Sequence, residues 1–192
     1  MIFVALEGID NAGKTTLAEK INDDLLKVGI KSCITRELVE TEVGKIVLES
    51  FRKKNNLSPE QKTLYFALDR QIRYEKIMNL DNIEVVIWDR YVYSSFVYRE
   101  MEKAEIVEWV KRVNSMFKKP ELNIYIDVNI KEAMKRALEN KRILPYTKEQ
   151  LIRCREIYLK YVEKGELEYF QGYEWLIQKI KDKIDEKRND NS

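Results

Sequence analysis

Residues 1–16 read Met-Ile-Phe-Val-Ala-Leu-Glu-Gly-Ile-Asp-Asn-Ala-Gly-Lys-Thr-Thr. The apolar run at 2–6 is too short for a helix and has the length of a buried strand. Gly8, Gly13, Lys14 and Thr15 follow it in the spacing G-x-x-x-x-G-K-[ST], which is typical of a phosphate-binding P-loop. The alternative is a chance glycine turn. A strand before the motif and a helical pattern after it are the context that the P-loop requires, so we predict a P-loop here.

The residue types of this loop have a physical reason. Glycine allows turns that a Cβ atom would block, so consecutive backbone N–H groups can point at one anion, and the following helix adds the positive end of its dipole. We expect Lys14 to reach the β- and γ-phosphates of ATP and the Thr15 hydroxyl to ligate Mg²⁺. The predicted ATP-binding residues are Gly8, Ile9, Asp10, Asn11, Ala12, Gly13, Lys14, Thr15 and Thr16.

Composition and charge exclude several classes of protein. A chain of 192 residues fits a single domain, 1–192, with a full core. With 35 basic and 33 acidic residues, no global field favours nucleic acid or an anionic membrane. There is no transmembrane-length apolar stretch and no secretion signal at the N-terminus, so we expect a cytoplasmic protein. The absence of histidine excludes imidazole catalysis, and Cys33 and Cys154 lack metal-site spacing.

Strand and helix patterns alternate along the rest of the chain. Further strands are predicted at 31–35, 84–88, 122–128 and 167–170. Helices are predicted from Lys14 up to Gly29 and at 43–51, 58–78, 94–101, 105–117, 131–138, 148–162 and 173–184, with a polar, frayed tail after Glu186. The alternation predicts an α/β fold of the P-loop NTPase type, a parallel sheet flanked by helices on both faces with its site at the carboxyl ends of the strands. The charged segment 139–147 is predicted to be a short lid.

Charged residues at the ends of the predicted strands indicate phosphate chemistry. Asp89 can hold Mg²⁺ through water and Arg90 can bind a second phosphate bidentately, the alternative being a structural ion pair. Glu7 is either a group that orients metal-bound water or a surface charge. An anion-binding loop gains nothing from the carboxylate of Asp10, which is better explained as the acceptor for a sugar hydroxyl.

The P-loop contains no arginine, so positive charge for the transferring phosphoryl group must come from elsewhere. Arg136, Lys141 and Arg142 flank the predicted lid, and closure of the lid would exclude water and deliver this charge. The alternative is a solvated basic face. The predicted catalytic residues are Lys14, Arg90, Arg136 and Arg142.

Several stretches, in order along the chain, resemble the motifs of one known family. They are residues 3–10, Thr35-Arg36-Glu37, Leu64-Tyr65-Phe66-Ala67-Leu68-Asp69-Arg70, Asp89-Arg90-Tyr91-Val92-Tyr93-Ser94-Ser95, Val97-Tyr98 and Arg155-Glu156-Ile157-Tyr158-Leu159. The chain resembles the thymidylate kinases, which are nucleoside monophosphate kinases. The resemblance implies phosphoryl transfer from ATP to dTMP with Mg²⁺, and a homodimer.

The resemblance also implies residue roles for the acceptor nucleotide. Asp10 would accept a hydrogen bond from the 3′-OH, and Arg90 would bind the acceptor phosphate. Phe66 would stack on thymine, Arg70 would bond its carbonyl edge, and Tyr98 would disfavour a 2′-OH. Without the resemblance, Phe66 is a core residue and Tyr98 a semi-buried helix residue. The predicted substrate-binding residues are Asp10, Arg36, Phe66, Arg70, Arg90, Ser95, Tyr98 and Arg99, and the predicted metal ligands are Thr15 and Asp89.

Some positions depart from the family pattern. Leu38-Val39-Glu40 replaces the usual Pro-Gly-Gly, Arg73 stands where a histidine is frequent, and Arg99 replaces a glutamine that helps to read the pyrimidine. The alternatives to a dTMP kinase are therefore a related pyrimidine or deoxynucleoside monophosphate kinase with another base preference, or a nucleotide-binding protein without catalysis. A GTP switch is disfavoured because Asn140-Lys141-Arg142-Ile143 does not complete the guanine-binding Asn-Lys-x-Asp motif.

Overall fold

The structure, a computed structural model, describes residues 1–52, 57–140 and 145–190. Within these ranges five parallel strands form one sheet in the order β2-β3-β1-β4-β5. The strands are β1 (Ile2–Glu7), β2 (Ser32–Arg36), β3 (Val85–Asp89), β4 (Leu122–Tyr125) and β5 (Glu168–Tyr169). The P-loop strand β1 is therefore central, with β3 and β4 on its two sides.

Helices connect the strands. They are α1 (Lys14–Lys27), α2 (Glu42–Arg52), α3 (Pro59–Met78), α4 (Val92–Glu102), α5 (Val107–Asn114), α6 (Ile130–Glu139), α7 (Lys148–Glu163) and α8 (Tyr173–Asn189). The start of α3 is as predicted: the Ser58 hydroxyl accepts from the Gln61 backbone N–H, and the Gln61 side chain accepts from the Ser58 N–H. The predicted parallel α/β fold of the P-loop type is confirmed.

The alternating faces of β1 build two cores, one on each side of the sheet. Ile2, Val4 and Leu6 belong to the larger hydrophobic cluster, which also includes the buried residues of α1, α7 and α8. Phe3 and Ala5 point to the opposite face and belong to a cluster with Trp88. All six strand residues are buried, as expected for a central parallel strand covered on both sides.

Three elements end three or more residues away from their predicted limits. The predicted helix 105–117 consists of a 3₁₀ turn, Ala104–Ile106, and the short α5, which ends where Asn114 turns its side chain back to the Val110 carbonyl. Strand β4 ends at Tyr125, before Asp127, which Arg155 binds through two hydrogen bonds of 2.7 and 2.6 Å.

The tail that was predicted to fray is helical up to Asn189. It is held to the sheet by Lys187, whose ammonium donates to the Met1 carbonyl at 2.7 Å, and by Arg188, which pairs with Glu84 at 2.7 Å. In the described part of the chain, no helix combines the length and apolar character needed to cross a bilayer.

Candidate active site

The P-loop connects β1 to α1 with a backbone that needs glycine. Gly8 and Gly13 have φ values of 149° and 97°, in the region that favours glycine. A Cβ atom on Gly8 would lie 2.5 Å from the Ile126 carbonyl oxygen, so this position has no room for a side chain. Gly13 stands directly before α1, where the first backbone N–H groups of the helix are available to an anion.

Lys14 is buried in the loop, with 5% of its surface exposed. Its ammonium donates to the carbonyl oxygens of Gly8 at 3.1 Å and Ile9 at 2.6 Å. Burial, helped by the nearby charge of Arg90, lowers the pKa of Lys14 from 10.5 to about 7. Ile9 and Ala12 are also buried and form the underside of the loop.

The two predicted metal ligands lie together. The Thr15 hydroxyl at the start of α1 donates to the Asp89 carboxylate at the end of β3, at 2.5 Å. The described residues contain no cluster of three or more Cys, Asp or Glu side chains able to hold a metal ion. One carboxylate and one hydroxyl fit Mg²⁺, which keeps several waters and takes its other ligands from substrate phosphates.

Arg90 joins the P-loop to the other half of the cleft. It adopts a left-handed backbone conformation, with φ of 74°, directly after β3. Its guanidinium donates to the Gly8 carbonyl at 2.8 Å, to the Ser94 hydroxyl at 3.1 Å and to the Asp10 carboxylate at 2.5 Å. Asp10 thus already has a cationic partner in this structure. The guanidinium carbon also lies 5.4 Å from the ring centre of Tyr98.

Glu7 is fully buried, so its interpretation as a surface charge is wrong. Its carboxylate accepts hydrogen bonds from the Tyr91 backbone N–H at 3.0 Å, the Ser94 hydroxyl at 2.6 Å and the Tyr158 hydroxyl at 3.2 Å. These contacts fix the turn that carries Arg90. Ser94 also lines the cleft and was not among the predicted site residues, although it lies in a family motif.

A cleft with a volume of about 720 Å³ opens at the carboxyl ends of the strands. It brings together most of the predicted site residues: Asp10, Asn11, Gly13, Lys14, Thr15, Thr16, Arg36, Phe66, Asp89, Arg90, Ser95, Tyr98, Arg99 and Arg136. Parallel strands end at the same edge of a sheet, and this explains why residues distant in sequence meet here.

One end of the cleft is lined by aromatic rings. Phe66 from α3 and Tyr98 from α4 line it together with Arg99. Two residues that were not predicted for the site, Phe51 and Tyr146, complete the wall. The Tyr146 ring centre lies 4.9 Å from that of Tyr98 and 6.3 Å from that of Phe51. A tyrosine among charged residues at the edge of the predicted lid was the available signal for Tyr146.

Arg70 is not among the residues that line the cleft, and its contact with the base stays a prediction. Its guanidinium is fully buried and donates to the side chains of Glu37 at 2.6 Å and Ser95 at 3.0 Å, to the Tyr91 carbonyl at 3.1 Å, and to the Asn114 side chain. Because four residues from three segments supply acceptors for this one guanidinium, Arg70 is anchored beneath the residues that face the cleft. It supports Ser95, which does line the cleft.

A second buried network holds the segment that replaces Pro-Gly-Gly. Asp69 accepts from the Leu38 backbone N–H at 3.1 Å and the Thr41 hydroxyl at 2.5 Å, and Arg73 donates to Asp69 at 3.0 Å. Burial raises the pKa of the Glu37 carboxyl next to this network, opposed by Arg70. Arg36 lines the cleft and pairs with Glu19 at 2.5 Å.

The predicted lid, 139–147, is described only at its edges. Arg136 on α6 donates to the Asn11 carbonyl of the P-loop at 3.3 Å and to Glu132 at 2.9 Å, so it lies beside the P-loop. The predicted lid residues Lys141 and Arg142 lie outside the described residues.

Three features define the class of P-loop nucleoside monophosphate kinases. They are a parallel sheet with a P-loop after its central strand, an arginine next to the P-loop (Arg90), and a second arginine from the side of the predicted lid (Arg136). The model of the family described as "Thymidylate kinase" matches residues 6–191. The chain belongs to the thymidylate kinase family. It is accordingly a kinase that uses ATP to phosphorylate dTMP, giving dTDP.

Individual relatives agree with this assignment. The chain is 32% identical to the probable thymidylate kinase of Sulfurisphaera tokodaii, with 96% of this chain and 90% of the relative covered. It is 35% identical to the thymidylate kinase of Thermoanaerobacter sp., with 95% of each chain covered. The solved thymidylate kinase of Candida albicans, at 18% identity, shares the fold with a TM-score of 0.76 over 98% of this chain and 92% of that chain.

Proposed function

We propose that the cleft carries out in-line, Mg²⁺-dependent transfer of the γ-phosphoryl group of ATP to the phosphate of dTMP, with the residues described above in distinct roles. The observation that carries this proposal is the position of Arg90. Its guanidinium bonds both the P-loop carbonyl of Gly8 and the carboxylate of Asp10. A phosphate bound by Arg90 would therefore lie next to a phosphate bound by the P-loop, as in-line transfer requires.

On the donor side, the P-loop amides and Lys14 bind the phosphates of ATP. Lys14 leaves the carbonyls of Gly8 and Ile9 to reach the β- and γ-phosphates. Thr15 and Asp89 would hold Mg²⁺, and the bound ion would supply positive charge to these phosphates. Arg136, and Arg142 from the lid, add positive charge in the transition state. The acceptor phosphate is already a nucleophile, so the enzyme contributes positioning and electrostatic stabilisation and needs no strong base.

On the acceptor side, Arg36 and Arg90 bind the phosphate, and Asp10 accepts from the 3′-OH of the sugar. Tyr98 lies under the sugar. Phe66 stacks on the base beside Arg99 and Ser95. Arg70 acts as a positioning residue, since its guanidinium holds Ser95 and Glu37 from beneath the cleft.

An ADP-release assay with a panel of nucleoside monophosphates tests the proposal. We expect Mg²⁺-dependent ADP release with dTMP, a lower rate with UMP because Tyr98 opposes the 2′-OH, and a poor rate with 3′-deoxy-dTMP. Loss of the hydrogen bond to the charged Asp10 should reduce kcat/KM about ten- to a hundredfold. Equal efficiency for UMP and dTMP would overturn the roles of Asp10 and Tyr98, and ADP release independent of dTMP would overturn the acceptor site.

We further propose that the protein forms a homodimer through α3. Leu64 and Leu68, one helical turn apart, are 55% and 49% exposed on the face of α3 that points away from the core. Exposed leucines at this spacing form an apolar stripe suited to a second copy of the same helix.

The mass of the particle in solution, measured by light scattering after gel filtration, tests this. We expect a dimer for the unmodified chain and for Val28→Glu, a matched change at an exposed apolar position at the end of α1. Leu68→Glu should give a monomer because it would bury like charges against each other. A monomeric parent protein, or a dimer that survives Leu68→Glu unchanged, would contradict the proposed interface.

A further inference from the structure

Arg99 has buried N–H groups that donate no hydrogen bond to any described residue. It projects from α4 into the aromatic end of the cleft, and 2% of its surface is exposed. The two N–H groups of its Nη1 atom are buried and have no hydrogen-bond partner among the described residues, whereas its Nε is ion-paired with Glu102. A buried donor without an acceptor is costly, and in native proteins such groups have a reason. A ligand in the cleft would supply the missing acceptors.

The surroundings of Arg99 orient its guanidinium. Its Nε lies 3.1 Å from a Glu102 carboxylate oxygen, and the other oxygen of Glu102 accepts from Lys62 at 2.6 Å. Neither Glu102 nor Lys62 is among the residues that line the cleft. The guanidinium carbon lies 5.7 Å from the ring centre of Phe66, the ring proposed to stack on the base. The cleft therefore offers the base edge N–H donors from Arg99, with Glu102 placed behind them.

A donor-only group fits some pyrimidine edges better than others. Neutral thymine presents two carbonyl oxygens with an N3–H donor between them, and a guanidinium has no acceptor for this N3–H. When N3 gives its proton to solvent, N3 and the neighbouring carbonyl become two adjacent acceptors with negative charge. The planar fork of an arginine can then bind both, with charge-assisted hydrogen bonds.

We propose that Arg99 is a specificity-determining residue that recognises acceptor atoms on the pyrimidine edge and binds a ring ionised at N3 in preference to a neutral ring. The ligand class that it favours is the deoxynucleotides of 5-halogenated uracils, because an electron-withdrawing substituent lowers the pKa of N3. This inference rests on the proposed function, which places the base beside Phe66.

The protein groups that face Arg99 do not explain such a pH dependence. Burial raises the pKa values of the Tyr98 and Tyr146 hydroxyls far above the neutral range, and it raises the pKa of the Cys154 thiol to about 12. Glu102 and Lys62 are paired with each other. Any remaining protein ionisation acts equally on two substrates that compete for one enzyme, so the ratio of their rates isolates the ionisation of the substrate.

The test is a competition between 5-fluoro-dUMP and dTMP in one mixture with ATP and Mg²⁺, from pH 6 to 9. In this range the fluorinated ring ionises and thymine remains largely neutral. The ratio of the two diphosphate products gives the ratio of kcat/KM values. We expect this ratio to rise with pH by about fivefold, the difference between a neutral and a charge-assisted hydrogen bond.

Variants test whether the rise in the kcat/KM ratio depends on Arg99. Arg99→Gln supplies a carbonyl acceptor for N3–H, so the ratio should stay flat or fall with pH. Arg112→Gln, the same change at an exposed position on α5, should behave like the parent. Arg99→Lys retains the charge without the fork and should show a smaller rise, which also keeps the test available if Arg99→Gln does not fold.

A flat or falling ratio in the parent enzyme, or an unchanged rise in Arg99→Gln, would overturn the inference. If either result is obtained while dTMP is still phosphorylated, the proposed function is unaffected. Failure of the parent enzyme to phosphorylate dTMP would instead overturn the proposed function.

Discussion

At the scale of single residues, Lys14 is the group whose loss should cost the most. Lys14→Ala removes the charge proposed to bind the transferring phosphoryl group. The expected loss is about 2.7–4 kcal/mol of transition-state stabilisation, or on the order of a hundred- to a thousandfold in kcat, as for other preorganised donors. Steady-state kinetics with dTMP would measure it. Lys27→Ala, at the exposed end of the same helix, is the control. Near-normal turnover in Lys14→Ala would contradict the assignment.

The low pKa of Lys14 leads to a second prediction at this scale. With a pKa of about 7 in the free enzyme, much of Lys14 is neutral at pH 8. ATP phosphates favour the charged form and raise this pKa, so binding at pH 8 should take up a proton, and uptake should vanish as the pH falls below about 6. Calorimetry in buffers of different ionisation enthalpy measures this uptake. Lys14→Arg, charged at all these pH values, should bind without it, and equal uptake in both proteins would refute the prediction.

The sequence predicted the positions of the donor-side residues better than those of the acceptor-side residues. Gly8, Lys14 and Thr15 act within one strand–loop–helix unit, so their spacing alone predicts their geometry. Arg70 differs, since its partners come from three separate segments, and local patterns contain no information on which side of α3 meets them. In the sequence, an arginine whose guanidinium is buried among protein acceptors looks the same as an arginine that faces a ligand.

At the scale of elements, α6 delivers positive charge to the P-loop. Arg136 donates to the Asn11 carbonyl of the P-loop. Arg136→Ala should lower kcat more than it weakens ATP binding, because lid charge is needed mainly when charge develops in the transition state. Single-turnover rates and ATP titrations separate the two effects. Lys135→Ala, the neighbouring exposed residue, is the control. A variant that lost ATP affinity with kcat intact would show that Arg136 binds only the ground state.

Element boundaries were predictable where the local signal was complete. Ser58, Pro59 and Gln61 contain the whole capping box, and α3 begins as predicted. The end of α8 was not predictable, because the polar residues after Glu186 remain helical through contacts with Met1 and Glu84, from the other end of the chain and from the start of β3. Long-range contacts determine where such a helix ends, and the periodicity of the sequence does not predict these contacts.

At the scale of the whole molecule, part of the hydrophobic core lies at the end of the sheet opposite to the cleft. The cleft lies at the carboxyl end of β1, and Ile184 of α8 lies near Met1 and Ile2 at the other end. Ile184 is 4% exposed and belongs to the larger core. We therefore expect Ile184 to contribute to the stability of the fold and not to catalysis.

Ile184→Ala should lower the free energy of unfolding by about 2–5 kcal/mol, through lost burial and the cavity left behind, and Ile184→Val by about 0.5–1.5 kcal/mol. Both variants should keep the parent kcat/KM for dTMP at temperatures where they remain folded, because the residues that line the cleft and those found around Ile184, Met1 and Ile2 are separate sets. Chemical denaturation and steady-state kinetics on the same preparations measure the two quantities. A loss of kcat/KM in the folded Ile184→Ala enzyme, in proportion to its lost stability, would show that packing at the far end of the sheet is coupled to the geometry of the P-loop, since β1 is the strand that joins them.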